Sequence, residues 1–402
     1  MADKVIVHVG APKTGTSFVQ DLLFHSRERL NELGICYPAE RFDDHFLAAL
    51  DLMQLSWGGL EREAVGAWDR LAQHVRAWPG TAIVSHEILA TASRAQVARA
   101  LASLSTGDTE IHVVLSARDL VRQIPAEWQE NVKHRRMTPY AEFIDDLQDP
   151  SRLLGVAAWF WGVQEVPDVL DRWGSTLPRE HVHLVTVPPP GSPNDLLWQR
   201  FSRVIGLDPA EFTLDEGLKN PSLGVVEAAV VRLLNVQIDD LVPNHHYRAI
   251  VREALVHRNL SVHRQSQRLS VPPDVWTWAD QLSRRWVAEV ALRGYDVVGD
   301  LDDLLPRPAL PYADPDHVPA EELAEATMRA LAAMTVEAAR LRDRELELQK
   351  DIEGLVEQLD AAHSTSIYKA KERLVARAGT SRTMASGLAV YRRLRGRNSR
   401  ST

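Results

Sequence analysis

The 402-residue sequence has one cysteine, Cys36. No intramolecular disulfide can form, a cysteine-built metal centre is excluded, and such scarcity suits a reducing compartment. Long apolar runs are missing too, so no membrane-spanning helix is expected. The start, Met1-Ala2-Asp3-Lys4, leads straight into Val5-Ile6-Val7-His8-Val9. That run is too short for a secretion-signal core and has no cleavage site, so the expectation is a cytoplasmic chain. Positive charge is in deficit: 46 Lys and Arg face 55 Asp and Glu, a formal net charge of −9, which argues against nucleic-acid binding by the chain as a whole. What remains is ordinary for a globular protein, 45% hydrophobic and 25% charged.

Residues 5–9 are a β-branched run suited to a buried parallel strand, and residues 18–33 follow with helical spacing at Phe18, Leu22, Leu23 and Leu30. Further strands are predicted at 81–85, 111–116 and 183–187, with a helix over 120–134 and a mostly helical stretch from 222 to about 292. Alternation of this kind predicts an α/β fold: a three-layer, P-loop-type parallel sheet flanked by helices, with a C-terminal helical, coiled-coil extension. The prolines of Leu305-Pro306-Arg307-Pro308-Ala309-Leu310-Pro311 put the domain end at residue 310 and a linker at 311–318. Over 319–363, Leu331, Met334, Ala338, Leu341, Leu348, Ile352, Leu355 and Leu359 recur in steps of three and four, interrupted at Glu345. This is a seam for pairing with a second copy, or one face of a single helix lying back on the domain. Residues 364–402 carry Lys369, Lys371, Arg373, Arg377 and six further arginines against Glu372 alone. They read as a partly disordered tail or an interfacial helix that meets an anionic membrane surface or another polyanion, which adds peripheral membrane association to the expected location.

The loop after the first strand, Gly10-Ala11-Pro12-Lys13-Thr14-Gly15-Thr16-Ser17, joins a strand to a helix, the arrangement that makes an anion site. It is not a Walker A sequence, which ends in Gly-Lys-Ser/Thr; here the lysine stands two residues before Gly15. Pro-Lys-Thr-Gly-Thr-Ser in this position resembles the phosphosulfate loop of sulfotransferases that use 3′-phosphoadenosine 5′-phosphosulfate (PAPS). The resemblance covers roughly residues 4–305. It implies that Pro12, Lys13, Thr14, Gly15, Thr16 and Ser17 hold the 5′ end of the donor, with Lys13 at the leaving group, and that the product is 3′,5′-adenosine bisphosphate. It also implies an arginine for the 3′-phosphate, which Arg118 matches at the end of a later strand. Eight residues on, the family's serine is replaced by Ala126, leaving Arg122, Gln123 or Gln129 to take its place. The stretches Lys219-Asn220-Pro221-Ser222 and Gly294-Tyr295-Asp296-Val297 are also similar to bacterial members of the group.

The chemistry asks for in-line geometry, a cation at the leaving group and a base for the acceptor hydroxyl. No metal is expected if the loop and Lys13 balance the charge. Members of the family use a histidine or a glutamate as base, which implies His45 or Glu87 here, with His86 third. The acceptor is open among carbohydrate, lipid and small metabolite. Two other readings stand beside this one: a P-loop-type kinase or nucleotide hydrolase with Asp119 as the magnesium-binding acid, and a non-catalytic nucleotide-binding scaffold that oligomerises through its coiled coil.

Overall fold

The computed structural model describes residues 2–153, 155–213, 222–364, 369, 370 and 373. Six parallel strands form one sheet in the order β2-β3-β1-β4-β5-β6. They are β1 (Ala2–Gly10), β2 (Ile35–Cys36), β3 (Gly80–Ser85), β4 (Glu110–Ala117), β5 (Val182–Thr186) and β6 (Asp296–Val298). The expected α/β architecture of a parallel sheet flanked by helices is what forms, with a long C-terminal helix, Ala320–Ser364. The near-continuous apolar strands explain the topology: Val5, Ile6 and Val7 are all fully buried, so β1 needs cover on both faces. On one face Ile6, Val114, Val185 and Val298 pack with Val19, Leu22 and Leu23 of α1 (Thr16–His25), and with Trp198 and Phe201 of the helix Leu196–Ile205. Each such side chain contributes about 1.5–3 kcal/mol on burial.

Some boundaries differ from expectation. The helix read over 18–33 breaks at Ser26 (φ −98°, ψ 15°) into α1 and a second helix, Arg27–Glu32. β2 and β6, of two and three residues, are too short to show a period in sequence.

The compact unit does not end at 310; it runs to Ala330, and a second unit covers 331–402. Prolines end regular structure but keep their carbonyls as acceptors. Ser270 Oγ donates to Pro311 O (2.9 Å) and the Trp276 indole to Arg307 O (3.1 Å). Asp316 accepts from the Ala141 N–H (2.9 Å) and lies 3.3 Å from Arg232. Ala326 and Ala330 are buried, so 311–318 is a packed strap rather than a free linker. In the second unit, Leu331, Leu341, Leu348, Ile352, Leu355 and Leu359 of the expected seam are exposed. Lys219, Asn220 and Pro221 lie outside the described residues, as does the basic tail except for Ser364, Lys369, Ala370 and Arg373.

β1 is central, with β3 on one side and β4 on the other, so the chain reverses its winding direction there. The carboxyl ends of β1, β3 and β4 therefore open a crevice, the usual ligand position in such a sheet.

Candidate active site

The loop after β1 is anchored from three directions. The Ala11 N–H donates to Ser116 O at the end of β4 (2.8 Å). Thr14 Oγ1 donates to Ala11 O (2.6 Å), closing the turn on itself. Pro12 O accepts from the side-chain amides of Gln123 and Gln164. Gly10 (φ 125°) runs against the neighbouring crossover; a Cβ there would sit 2.9 Å from Glu87 O. Gly15 (φ 88°) is the N-cap of α1 and offers no side-chain cap, so the first N–H groups of α1, including that of Ser17, keep their donor capacity. Thr14 and Thr16 are buried, Pro12, Lys13 and Gly15 half-buried and Ser17 exposed.

Lys13, itself at φ 64°, lies 2.5 Å from Glu130 Oε2. Glu130 sits on the helix Leu120–Lys133, which starts directly after β4. Burial works against the charge of Glu130, but the His134 hydrogen bond and the Lys13 ammonium hold its carboxyl well below the usual range. Lys133 and Arg252 add positive charge beside it, and burial draws Lys133 down to about 8.

Arg118 is buried enough that its pKa falls to about 10. Its Nε donates to Gln123 Oε1 (2.6 Å) and its Nη2 to Arg122 O (3.0 Å). Gln123, 1% exposed, thus spends one end of its amide on Arg118 and the other on Pro12 O, wiring the arginine to the loop. Arg122 and Gln129 were expected as substitutes for the missing serine, and both have other partners. Arg122 pairs with Asp119 and donates to Pro188 O (3.2 Å). Gln129 Oε1 accepts the Leu223 N–H (2.9 Å). Asp119 caps the helix by accepting the Arg122 N–H (2.9 Å), so it is not the free acid that a magnesium-dependent hydrolase needs.

His45 has both ring nitrogens engaged by backbone groups, which leaves none for a base. It is 3% exposed; its Nδ1 accepts the Ser85 N–H (3.1 Å), and Nε2 lies 3.2 Å from Pro38 O. Those contacts fix the Nε2–H tautomer, and burial pushes the ring down to about 4. His45 pins the end of β3. His86 caps the short turn Glu87–Thr91 and stacks on Phe46. Glu87 opens that turn, two residues past the end of β3, within the field of Lys13, and accepts from Gln20 Nε2 (2.9 Å). Burial raises it, but His86, Gln20 and Lys13 together leave it below the ordinary value.

Two residues escaped the sequence reading. His8, fully buried in β1, bridges Ser85 Oγ (2.9 Å) and Ser116 Oγ (3.1 Å), tying the three central strands together under the loop. Glu127 lies one turn before Glu130 on the same helix and is 5% exposed. Among the described residues its Oε2 has no hydrogen-bond partner. Burial raises Glu127 to about 7 against the pull of the Lys13 and Arg118 charges and a hydrogen bond from the Trp159 indole. The sequence signal was available: Glu127 and Glu130 share a helix face three residues apart.

No family model and no curated protein matches the chain. Among solved structures, a sulfotransferase from Alicyclobacillus acidocaldarius aligns with a TM-score of 0.42 and 16% identity, covering 74% of this chain and 97% of that one. A likeness this distant transfers no residue roles.

Proposed function

We propose that the chain moves a sulfuryl group from PAPS to a hydroxyl of a carbohydrate, lipid or small metabolite. The observation that carries this reading is that Gln123 ties a second cation, Arg118, to the loop that already bears Lys13. A donor with a 5′-phosphosulfate and a 3′-phosphate needs two such anchors. The residues fit that group: the head of α1 has no side-chain cap, and among the described residues no hydrogen bond engages Nη1 of Arg118. The commitment of Asp119 to its own helix disfavours the kinase or hydrolase alternative.

When bound, the donor supplies an activated sulfuryl group on a phosphate leaving group. Lys13 offsets the charge that develops as the bond to phosphate breaks, the step where a preorganised cation acts most strongly. To do so it exchanges Glu130 for the ligand, and Glu130 keeps His134 and Arg252 as partners. Thr14, Thr16, Ser17 and the first N–H groups of α1 orient the phosphosulfate end; Arg118, held by Gln123, meets the 3′-phosphate. The acceptor proton goes to Glu127, a carboxyl poised near neutrality, the condition for an effective general base. Glu87, held ionised by Gln20 and His86, acts as a fixed negative charge orienting the acceptor. In the same reading the protein is cytoplasmic, residues 319–363 pair with a second copy, and the tail 364–402 meets an anionic surface.

The test is a calorimetric titration of the chain with 3′,5′-adenosine bisphosphate in the absence of divalent metal, followed by a radiolabelled sulfate-transfer screen of hydroxylated acceptors. Metal-independent binding and label transfer are expected. Magnesium-dependent ATP turnover without bisphosphate binding would return the assignment to the kinase or hydrolase class.

A further inference from the structure

The opposite ends of the strands carry a second cluster, made of histidines and carboxylates. β4 opens with Glu110 and His112, β5 follows His181 and contains His183, and β6 opens with Asp296. Because all the strands are parallel, these residues lie at the amino edge of the sheet, away from the nucleotide loop. Asp296 Oδ2 is 2.7 Å from His183 Nδ1, His183 Nε2 is 2.7 Å from His112 Nδ1, and His112 Nε2 touches Glu110 Oε1. His181 stacks on His112 (4.2 Å between ring centres), with its Nε2 3.5 Å from the same Glu110 oxygen.

The protons in this chain do not add up. Three contacts in a row each need a hydrogen, yet two neutral imidazoles carry one N–H apiece. Placing those hydrogens on Nδ1 of His183, toward Asp296, and on Nδ1 of His112, toward His183, satisfies the buried part of the chain. Nε2 of His112 is then a bare lone pair facing the Glu110 carboxylate, a juncture that a third proton or a metal ion completes. The remainder is the support a metal-bound histidine ordinarily has: its other ring nitrogen donates onward to a carboxylate-anchored partner.

The geometry points to a divalent transition-metal site formed by Glu110 Oε1, His112 Nε2 and His181 Nε2, with a fourth position open to solvent. One ligand atom from each of the three residues lies within 4.8 Å of the other two. Zinc bonds of about 2.0–2.1 Å place tetrahedral ligand atoms roughly 3.3 Å apart, so the Glu110–His181 separation already fits. Two adjustments admit the ion: Glu110, with its side chain 48% exposed, swings out from His112, and the His181 ring, 22% exposed, turns out of its stack so that its Nε2 lone pair converges with that of His112. Two imidazoles and a carboxylate favour zinc and its neighbours in the first transition row over magnesium or calcium. The Lys4 charge opposes the ion, and the Glu110 and Asp296 carboxylates together outweigh it. A bound ion clips the first residues of β4 to the turn Arg179–His181.

The test uses the untagged full-length chain stripped with chelator, titrated with zinc by calorimetry and with cobalt by absorption spectroscopy. One ion per chain at micromolar or tighter Kd, intense tetrahedral cobalt bands, and a Tm raised by several degrees on loading are expected. E110Q and H181Q alter partly exposed side chains, so each should keep the metal-free Tm of the parent and bind zinc at least tenfold more weakly. His112 is left intact because its burial makes a folding defect the simpler outcome. Absence of stoichiometric binding, or parental affinity in both variants, overturns the assignment; the latter would place the ion elsewhere, for instance at the adjacent pair His245 and His246. Titration with 3′,5′-adenosine bisphosphate should give the same affinity with and without zinc.

Discussion

Lys13 Nζ stands 2.5 Å from Glu130 Oε2. The cation assigned to the leaving group is therefore held by an internal carboxylate that any incoming anion must displace. Lys13→Ala should cut sulfuryl transfer by about 10²–10³-fold, the scale for losing one preorganised charge stabiliser, with Tm within a few degrees of the parent. Glu130→Gln should act in the opposite sense on binding, tightening 3′,5′-adenosine bisphosphate severalfold by removing the competitor. Near-parental turnover in Lys13→Ala would sink the leaving-group role.

Gln123 carries no charge, yet it joins Arg118 to Pro12. Gln123→Leu should raise the bisphosphate Kd about tenfold, the value of one or two buried hydrogen bonds, while leaving turnover at saturating donor within a factor of a few. Equal loss in binding and turnover would instead place Gln123 against the reacting atoms.

In the proposed mechanism Glu127 sets the pH profile. As a base it must be ionised, so turnover should rise with pH through about 7 and level off above. Glu127→Gln should flatten that limb and lower turnover by about 10²–10⁴-fold. Stability runs the other way. A carboxyl raised from 4.5 to about 7 by burial stabilises the fold while protonated, and that contribution, roughly 3 kcal/mol, disappears as pH climbs between those values. Relative to the parent, Glu127→Gln should therefore gain Tm as pH increases to 8. If the rising limb survives in this variant, the base is another group, with Glu87→Gln the next to test.

His45→Phe should lower Tm by several degrees, because the Ser85 N–H and Pro38 carbonyl lose their partner at about 1–3 kcal/mol each. Turnover of the folded fraction should be unchanged. A large loss of turnover at parental Tm would restore His45 as a base.

Truncation separates the two units. A chain ending at residue 330 should bind bisphosphate and melt like the full-length protein, and light scattering should show the loss of any dimer formed through 319–363. Ending at 310 removes Asp316 and leaves the Arg232 guanidinium and the Ala141 N–H without their carboxylate partner, so that chain should melt lower.

The alternation of apolar runs was enough to foresee the parallel sheet, because strands buried on both faces must read as β-branched segments wherever they occur. The Gly10 to Ser17 loop was legible for a related reason: its properties come from backbone N–H groups, positive φ at Gly10 and Gly15, and one lysine, all local in sequence. β2 and β6 were illegible because two or three residues show no period.

Partnership is what only the tertiary structure decided. His45 is equally plausible in sequence as a base or as a strut; Ser85, forty residues away, makes it a strut. Arg122 resembled a phosphate ligand until Asp119 and Pro188 claimed it, and Gln123 proved to be the bridge between Arg118 and the loop. The strap after residue 310 reads as a linker from its prolines and packs because Asp316 finds Arg232 and Ala141. Glu127 looks like any helical glutamate, and only burial beside Lys13 and Arg118 makes it a candidate base. The loop was written in local residue order; the carboxylates and arginines around it acquire their roles from desolvation and long-range contacts, which no local pattern encodes.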